Sequence, residues 1–345
     1  MSFKLNELCV SLAAVTALAA VGSSAHAETD IRLASWVPDS HPLSTGGFEP
    51  WMESITEATN GSLTFTLYPA QQLGASADHH DMARDGISDI SYTNFSYTPG
   101  RFPIAGAAEI PFVISDPIAA SGVFHDWYQE HGTHEVDGAK VCMLFLQPTG
   151  ALHMNGERVV LPEDLDGLSM RPPNGNVGNL FSSLGASNVQ VSAPESREAM
   201  ARGVVDGIGF PWDSLKTFGI SDSADYHLDV PLYVNVFGLI MNQNTYNNMS
   251  ASEQAVMDEH CSAQWSGRLI EVWSEEGAKA RQEFIANPDH EVYTPTESEV
   301  SAWVEASSDL QSDWAAAVRD NGDDPDVLWD DLMDRLRAVD ALYGE

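Results

Sequence analysis

The chain has 345 residues, 43% of them hydrophobic and 19% charged, and exceeds the roughly 250–300 residues at which single cores stop growing, so two lobes with sizeable cores are expected. Asp and Glu number 51 against 16 Lys and Arg, a formal net charge of -35 spread through every segment. That balance excludes nucleic acid and anionic lipid as partners, since both need clustered cations, and it suits a secreted protein kept soluble at high salt.

The first residues read as a secretory signal. Lys4 precedes a short apolar run, "LCVSLAAVTALAAVG", and Ala25, His26 and Ala27 form a small-x-small site with cleavage expected before Glu28. No later run approaches the ~18 apolar residues of a membrane-spanning helix, so an exported, periplasmic protein without membrane insertion is expected. Cys9 leaves with the signal. Cys142 and Cys261 then remain in an oxidising compartment, where the spacing is compatible with a disulfide and with two buried thiols.

Beyond the signal, "DIRLASW" reads as a strand, "FEPWMESITEATNG" as an amphipathic helix closed by Gly61, and "SLTFTLYP" as an alternating strand. A helix over "SADHHDMARDG" and a strand at "ISDISYT" follow. After Pro148 a second series begins: "ALHMN", "LSMRPP", a helix over "NVGNLFSSLG", a strand at "NVQVS", the helix "PESREAMARG" and the strand "VVDGIGF". Alternation at this spacing predicts βαβ units and parallel sheets, hence an α/β class. From Ser252 to Ile285 the pattern is helical without a proline, long enough to run along both lobes. A final amphipathic helix covers "DDPDVLWDDLMDRLRAVDALYG".

The common catalytic and nucleotide-binding motifs are absent: no G-x-S-x-G, H-E-x-x-H, P-loop or Rossmann fingerprint occurs. His79 and His80 point to different helix faces, and His131 with His134 flank a glycine at a helix end; no ligand set completes around them, so they read as surface or capping residues. "DNGDDPD" lacks the alternation and terminal Glu of a calcium loop. Neither a metal nor a cofactor is therefore expected. Aromatic residues are more telling. Trp36, Tyr97, Phe210 and Trp212 each fall at the carboxyl end of a predicted strand, where open α/β sheets bind ligands.

One position stands out in the second series. In "DLDGLSMRPPNG", an arginine of this very acidic chain sits between a strand and two prolines. The ordered set "YPAQQLG", "DGISDI", "TPGRFP", "EIPF", "PEDLDGLSMRPPN" and "LGASNVQVSAPESREAMARGVVDG" resembles the periplasmic solute-binding proteins of TRAP (tripartite ATP-independent periplasmic) transporters over essentially the whole mature chain. The resemblance implies a two-lobed Venus-flytrap fold with crossing strands and a long lobe-spanning helix. Lobe I would comprise 28–150, with part of 240–345 returning to it, and lobe II 151–240. It also implies a receptor without catalysis that captures a small solute and hands it to a membrane permease.

Residue by residue, the resemblance makes Arg171 a carboxylate clamp, its fork held ready by the flanking prolines. Asn174, Asn94, Trp36, Tyr97 and Asn235 join it on the ligand side. The chain departs from acid-binding members in two places. Ala151 or Leu152 stands where many carry a second arginine, and Phe210 stands where they carry asparagine, with Trp212 and Asp213 beside it. A small carboxylate is the expected solute. A small amine, amino alcohol or zwitterion held by aromatic faces and Asp213 or Asp39 is the alternative, and an exported enzyme on a similar fold is a remote one.

Overall fold

The computed structural model describes residues 28–344; the signal segment lies outside them. In chain order the strands are β1 (Thr29–Ala34), β2 (Leu63–Tyr68), β3 (Ile90–Asn94), β4 (Ala139–Leu146), β5 (Gly150–Met154), β6 (Ser169–Arg171), β7 (Ser187–Asn188), β8 (Gly207–Phe210), β9 (Tyr226–Tyr233), β10 (Val236–Asn242) and β11 (Glu291–Tyr293). They form two sheets, ordered β2-β1-β3-β10-β4 and β11-β9-β5-β8-β6-β7. The molecule is a two-lobed α/β structure with one sheet per lobe.

Both sheets are mixed rather than parallel. β1 runs parallel to β2 and β3, but β10 is antiparallel to β3 and β4, and β5 is antiparallel to β8 and β9. The reason is the connection. β4 runs out of the first sheet and continues as β5 in the second, and β9 returns as β10, so neither link contains the crossover helix that would restore a parallel direction. The two crossings lie side by side, with the Gln147 amide donating to the Asn235 carbonyl at 3.1 Å. Gly150 is required there, because a Cβ would stand 2.2 Å from the Tyr233 ring.

The helix Ala263–Ala286 is the third link. It buries Leu269, Ile270, Trp273, Gly277, Ala280 and Phe284 along one stripe, approaching Gly47 of the first lobe at one end and setting Phe284 against Trp212 of the second at the other. The unbroken helix predicted from Ser252 is corrected to two, Ala251–His260 and Ala263–Ala286. Cys261 leaves helical geometry between them, tied to Cys142 of β4 by a disulfide with a Cα–Cα distance of 4.7 Å. The spacing left this pairing open.

Other expectations also change. The strand at "NVQVS" reduces to Ser187–Asn188, both exposed; beyond it Val189 keeps one backbone bond, to the Met170 carbonyl, and the Val191 carbonyl accepts from Arg171. His79 and His80 are buried, not superficial: His79 Nδ1 lies 3.0 Å from the Tyr92 carbonyl and His80 Nδ1 3.2 Å from Asp81. His131 contacts Asp331 at 2.8 Å near Glu130, a trio whose spacing suits a cation. Arg335 already bridges Glu130 and Asp331 at 2.7 and 3.1 Å and supplies that charge itself. In the acidic turn, Asp324 caps the helix Pro325–Ala338 by accepting from Asp326 and Val327.

Candidate functional site

The strand ends meet where the crossings pass between the lobes. Trp36 follows β1, Asn94 ends β3 and Tyr97 follows it, Arg171 ends β6 and Phe210 ends β8. With Gln147, Asn235 and Trp273 from the three links, these residues enclose a cavity of about 20 Å³. By the same measure a single water needs ~10–15 Å³. In this form the cavity is nearly filled by its own walls, with room for about one water.

Arg171 dominates its electrostatics. The side chain is 2% exposed. Its Nε donates to the Val191 carbonyl at 3.1 Å and Nη1 to the Gly209 carbonyl at 3.2 Å, which fixes the fork, and the guanidinium carbon stands 4.8 Å from the Phe210 ring centre. Among the described residues no carboxylate forms an ion pair with it, and none lines the cavity. A buried cation without a counter-charge is costly. The arrangement is complementary to an anion.

The remaining wall is aromatic. Trp36 stacks on Tyr92 at 5.0 Å and lies nearly parallel to Phe218 at 6.4 Å, while Phe218 stacks on Phe210 at 5.7 Å. The Tyr97 hydroxyl accepts from the Ala193 amide at 2.9 Å, and burial pushes its phenol above the ordinary range. Asn94 Oδ1 accepts from Ser96, and Asn235 is oriented by Asn174 and the Pro173 carbonyl.

Not every expected site residue reaches the cavity. Asn174 caps the helix Gly175–Ser183 and spends its Nδ2 on Val234 and Asn235, so it stands behind Asn235 and orients it. Trp212 turns away from Arg171 and packs on His153, His227 and Phe284. Asp213 is also behind the wall. Asp39 is exposed. Gln147, Phe218, Phe237, Trp273 and His41 also line the cavity, beyond the residues the sequence points to. For Gln147 a signal exists, a polar residue closing the buried run "VCMLFL"; Trp273 falls on the helix's core stripe and looks like any packing residue.

Asp213 has a definite role nonetheless. Its Oδ2 accepts from the Trp273 indole at 2.9 Å while its Oδ1 is buried without a partner. Burial raises its pKa to about 7, against the lowering effects of Trp273 and the backbone amides of Asp213 and Ser214. His41 Nε2, 4.0 Å away, does not compensate, because burial holds that imidazole neutral, its pKa near 3. A carboxyl with a folded pKa above its unfolded value binds its proton more tightly in the fold, so its contribution to stability is lost as pH rises from about 4 through 7. Asp213→Asn keeps an acceptor for Trp273 without the charge. It should therefore stabilise the protein by on the order of 2–4 kcal/mol at pH 8 and by only about 1 kcal/mol at pH 4.5, as read by urea unfolding at both values. An equal effect at both values would contradict the assignment.

A larger cleft of about 510 Å³ lies on the other side of the same links, lined by Pro148, Thr149, Trp212, Ser274 and Arg281. Its cation is already matched, since Arg281 forms a fork with Asp229. The unmatched cation is in the smaller cavity.

Two α/β lobes, linked by crossing strands and a long helix and closed over a buried, unpaired arginine, define a receptor that captures a solute between its lobes. The chain belongs to bacterial extracellular solute-binding protein family 7, whose model matches residues 33–317. It is 25% identical to a TRAP solute-binding protein from Rhodoferax ferrireducens solved with copurified benzoate, at a TM-score of 0.86 over 90% of this chain and 98% of that one. A marine metagenome TRAP solute-binding protein specific for aromatic acid ligands, solved with 3-hydroxybenzoate, is also 25% identical, with a TM-score of 0.85 over 91% and 99% of the two chains. A solute-binding protein of Roseobacter denitrificans is 24% identical over 277 residues, 77% of this chain and 83% of its own length. Among the described residues no helix is long and apolar enough to cross a membrane.

Proposed function

We propose that this TRAP receptor captures a small monocarboxylate, holding the carboxylate on the Arg171 fork and the apolar body against Trp36, Phe210 and Phe218. The observation that carries this reading is the buried guanidinium without a counter-charge. Benzoate and 3-hydroxybenzoate in the two neighbours add support. The amine alternative loses its acidic partner, because Asp213 serves Trp273 and Asp39 faces solvent.

In this reading the solute leaves unaltered, handed to a permease in the membrane. The disulfide supports a periplasmic location. Chain entry into the second sheet at Gly150 supports the lobe boundary near 150, and the return at Val236 supports the one near 240. β11 and the Trp303 indole, which donates to Val160, assign part of the C-terminal region to lobe II as well.

A thermal-shift panel tests the function. A solute bound only by the folded state at one hundred times its dissociation constant adds about 2.7 kcal/mol. Benzoate, mandelate or pyruvate should raise the melting temperature while choline and ethanolamine do not. Shifts from the amines alone would reject the proposal.

A further inference from the structure

Three histidines of the second lobe stand in line behind Phe210. His153 of β5 and His227 of β9 are cross-strand partners and fully buried, and the half-buried His290 directly precedes β11, which flanks β9. His153 Nε2 lies 3.0 Å from the Phe210 carbonyl, His153 Nδ1 2.8 Å from His227 Nδ1, and His227 Nε2 3.0 Å from His290 Nδ1. Trp212 and Phe284 pack around the rings, and burial holds the inner two neutral, pushing His153 down to about 4 and His227 to about 2. Asp229, whose charge reaches His153, is already forked to Arg281. At the outer end His290 shares a pocket of about 200 Å³ with Lys216, Asp222 and Glu283, of which Lys216 and Glu283 pair with each other.

These distances leave one arrangement of protons. A carbonyl only accepts, so His153 carries its proton on Nε2 and, being neutral, offers the lone pair of Nδ1. His227 then donates from Nδ1 and accepts at Nε2, and His290 donates from Nδ1. Every N–H in the row points inward, and the row ends on Phe210. Reversing one ring would set two lone pairs or two hydrogens against each other in a buried place, where an unmade hydrogen bond is expensive. We infer that His153 is a positioning residue of the solute wall: locked as its Nε2–H tautomer by His227 and His290, it anchors the end of β8 from which Phe210 reaches Arg171. The inference rests on the proposed solute wall. The Phe210 ring centre is 4.8 Å from the Arg171 guanidinium carbon and the Gly209 carbonyl accepts from the same guanidinium, so a shift at the end of β8 moves both.

Proton–nitrogen NMR of the imidazoles tests the row on the full mature chain near neutral pH, each ring being assigned from its His→Gln variant. It should find Nε2–H at His153 and Nδ1–H at both His227 and His290. Nδ1–H or a doubly protonated ring at His153 would overturn the inference. Calorimetry with benzoate reads the consequence. His153→Phe keeps a ring but removes the donor, and should weaken binding by roughly three- to tenfold, the worth of one net hydrogen bond. His153→Gln, whose amide Nε2 stands at a similar reach, should restore binding to within about twofold of the unaltered protein. Unchanged affinity in His153→Phe, with Arg171→Lys still weakening binding, would overturn the positioning role and leave the clamp standing. Insensitivity to both changes would remove the clamp as well. A loss as large in His153→Gln as in His153→Phe would make His153 a packing residue and overturn the role. Should His153→Phe fail to fold, the tautomers of the unaltered protein and the affinity of His153→Gln decide.

Discussion

Arg171→Ala is expected to weaken binding of the preferred monocarboxylate by about 3–5 kcal/mol, roughly two to three and a half powers of ten. The magnitude follows from burial. In the closed cavity the carboxylate would be left without a cation and without water, which costs more than the loss of a surface ion pair. Arg171→Lys keeps the charge but not the planar fork, nor both backbone bonds to Val191 and Gly209, and should cost about 1.5–3 kcal/mol. Calorimetry on the three proteins gives the ordering directly. An affinity unchanged in Arg171→Lys and reduced only a few-fold in Arg171→Ala would mean that another group holds the anion.

Removing the disulfide should have the second-largest effect, on stability instead of binding. Cys142 and Cys261 are 119 residues apart in sequence, and closing a loop of that size removes up to about 5 kcal/mol of unfolded-state entropy in the chain-entropy model. The bond lies within the first lobe, between β4 and the break before the long helix. The double variant Cys142→Ala, Cys261→Ala should therefore lose on the order of 2–5 kcal/mol, a fall of roughly 5–15 °C in melting temperature, while solute affinity stays within a few-fold. A large loss of affinity with intact stability would show that the bond sets the lobe geometry.

The sequence discloses the lobes well and the cavity only partly. Strands such as β1 and β3 carry their own signal, with apolar runs bounded by turn residues and helices. β9 and β10 carry no such signal, because crossing from one sheet to the other is a tertiary property and local periodicity does not report it. The break at Cys261 is hidden for the same reason, since the constraint comes from Cys142 on a distant strand. Arg171 was legible because a lone arginine between a strand and two prolines is conspicuous in so acidic a chain. Trp212 and Asp213 follow Phe210 closely in sequence, but the chain turns at Pro211: Trp212 lines the larger cleft, and Asp213 sits behind Trp273 and His41. Gln147 and Trp273 reach the cavity only through the lobe crossing.

The most direct test of the account is a crystal structure of the mature protein with a bound monocarboxylate such as mandelate. The account predicts the carboxylate on the Arg171 guanidinium, both oxygens within hydrogen-bond distance, and the apolar body among Trp36, Phe210 and Phe218. A carboxylate bound away from Arg171, or a solute seated in the larger cleft beside Ser274 and Arg281, would contradict it.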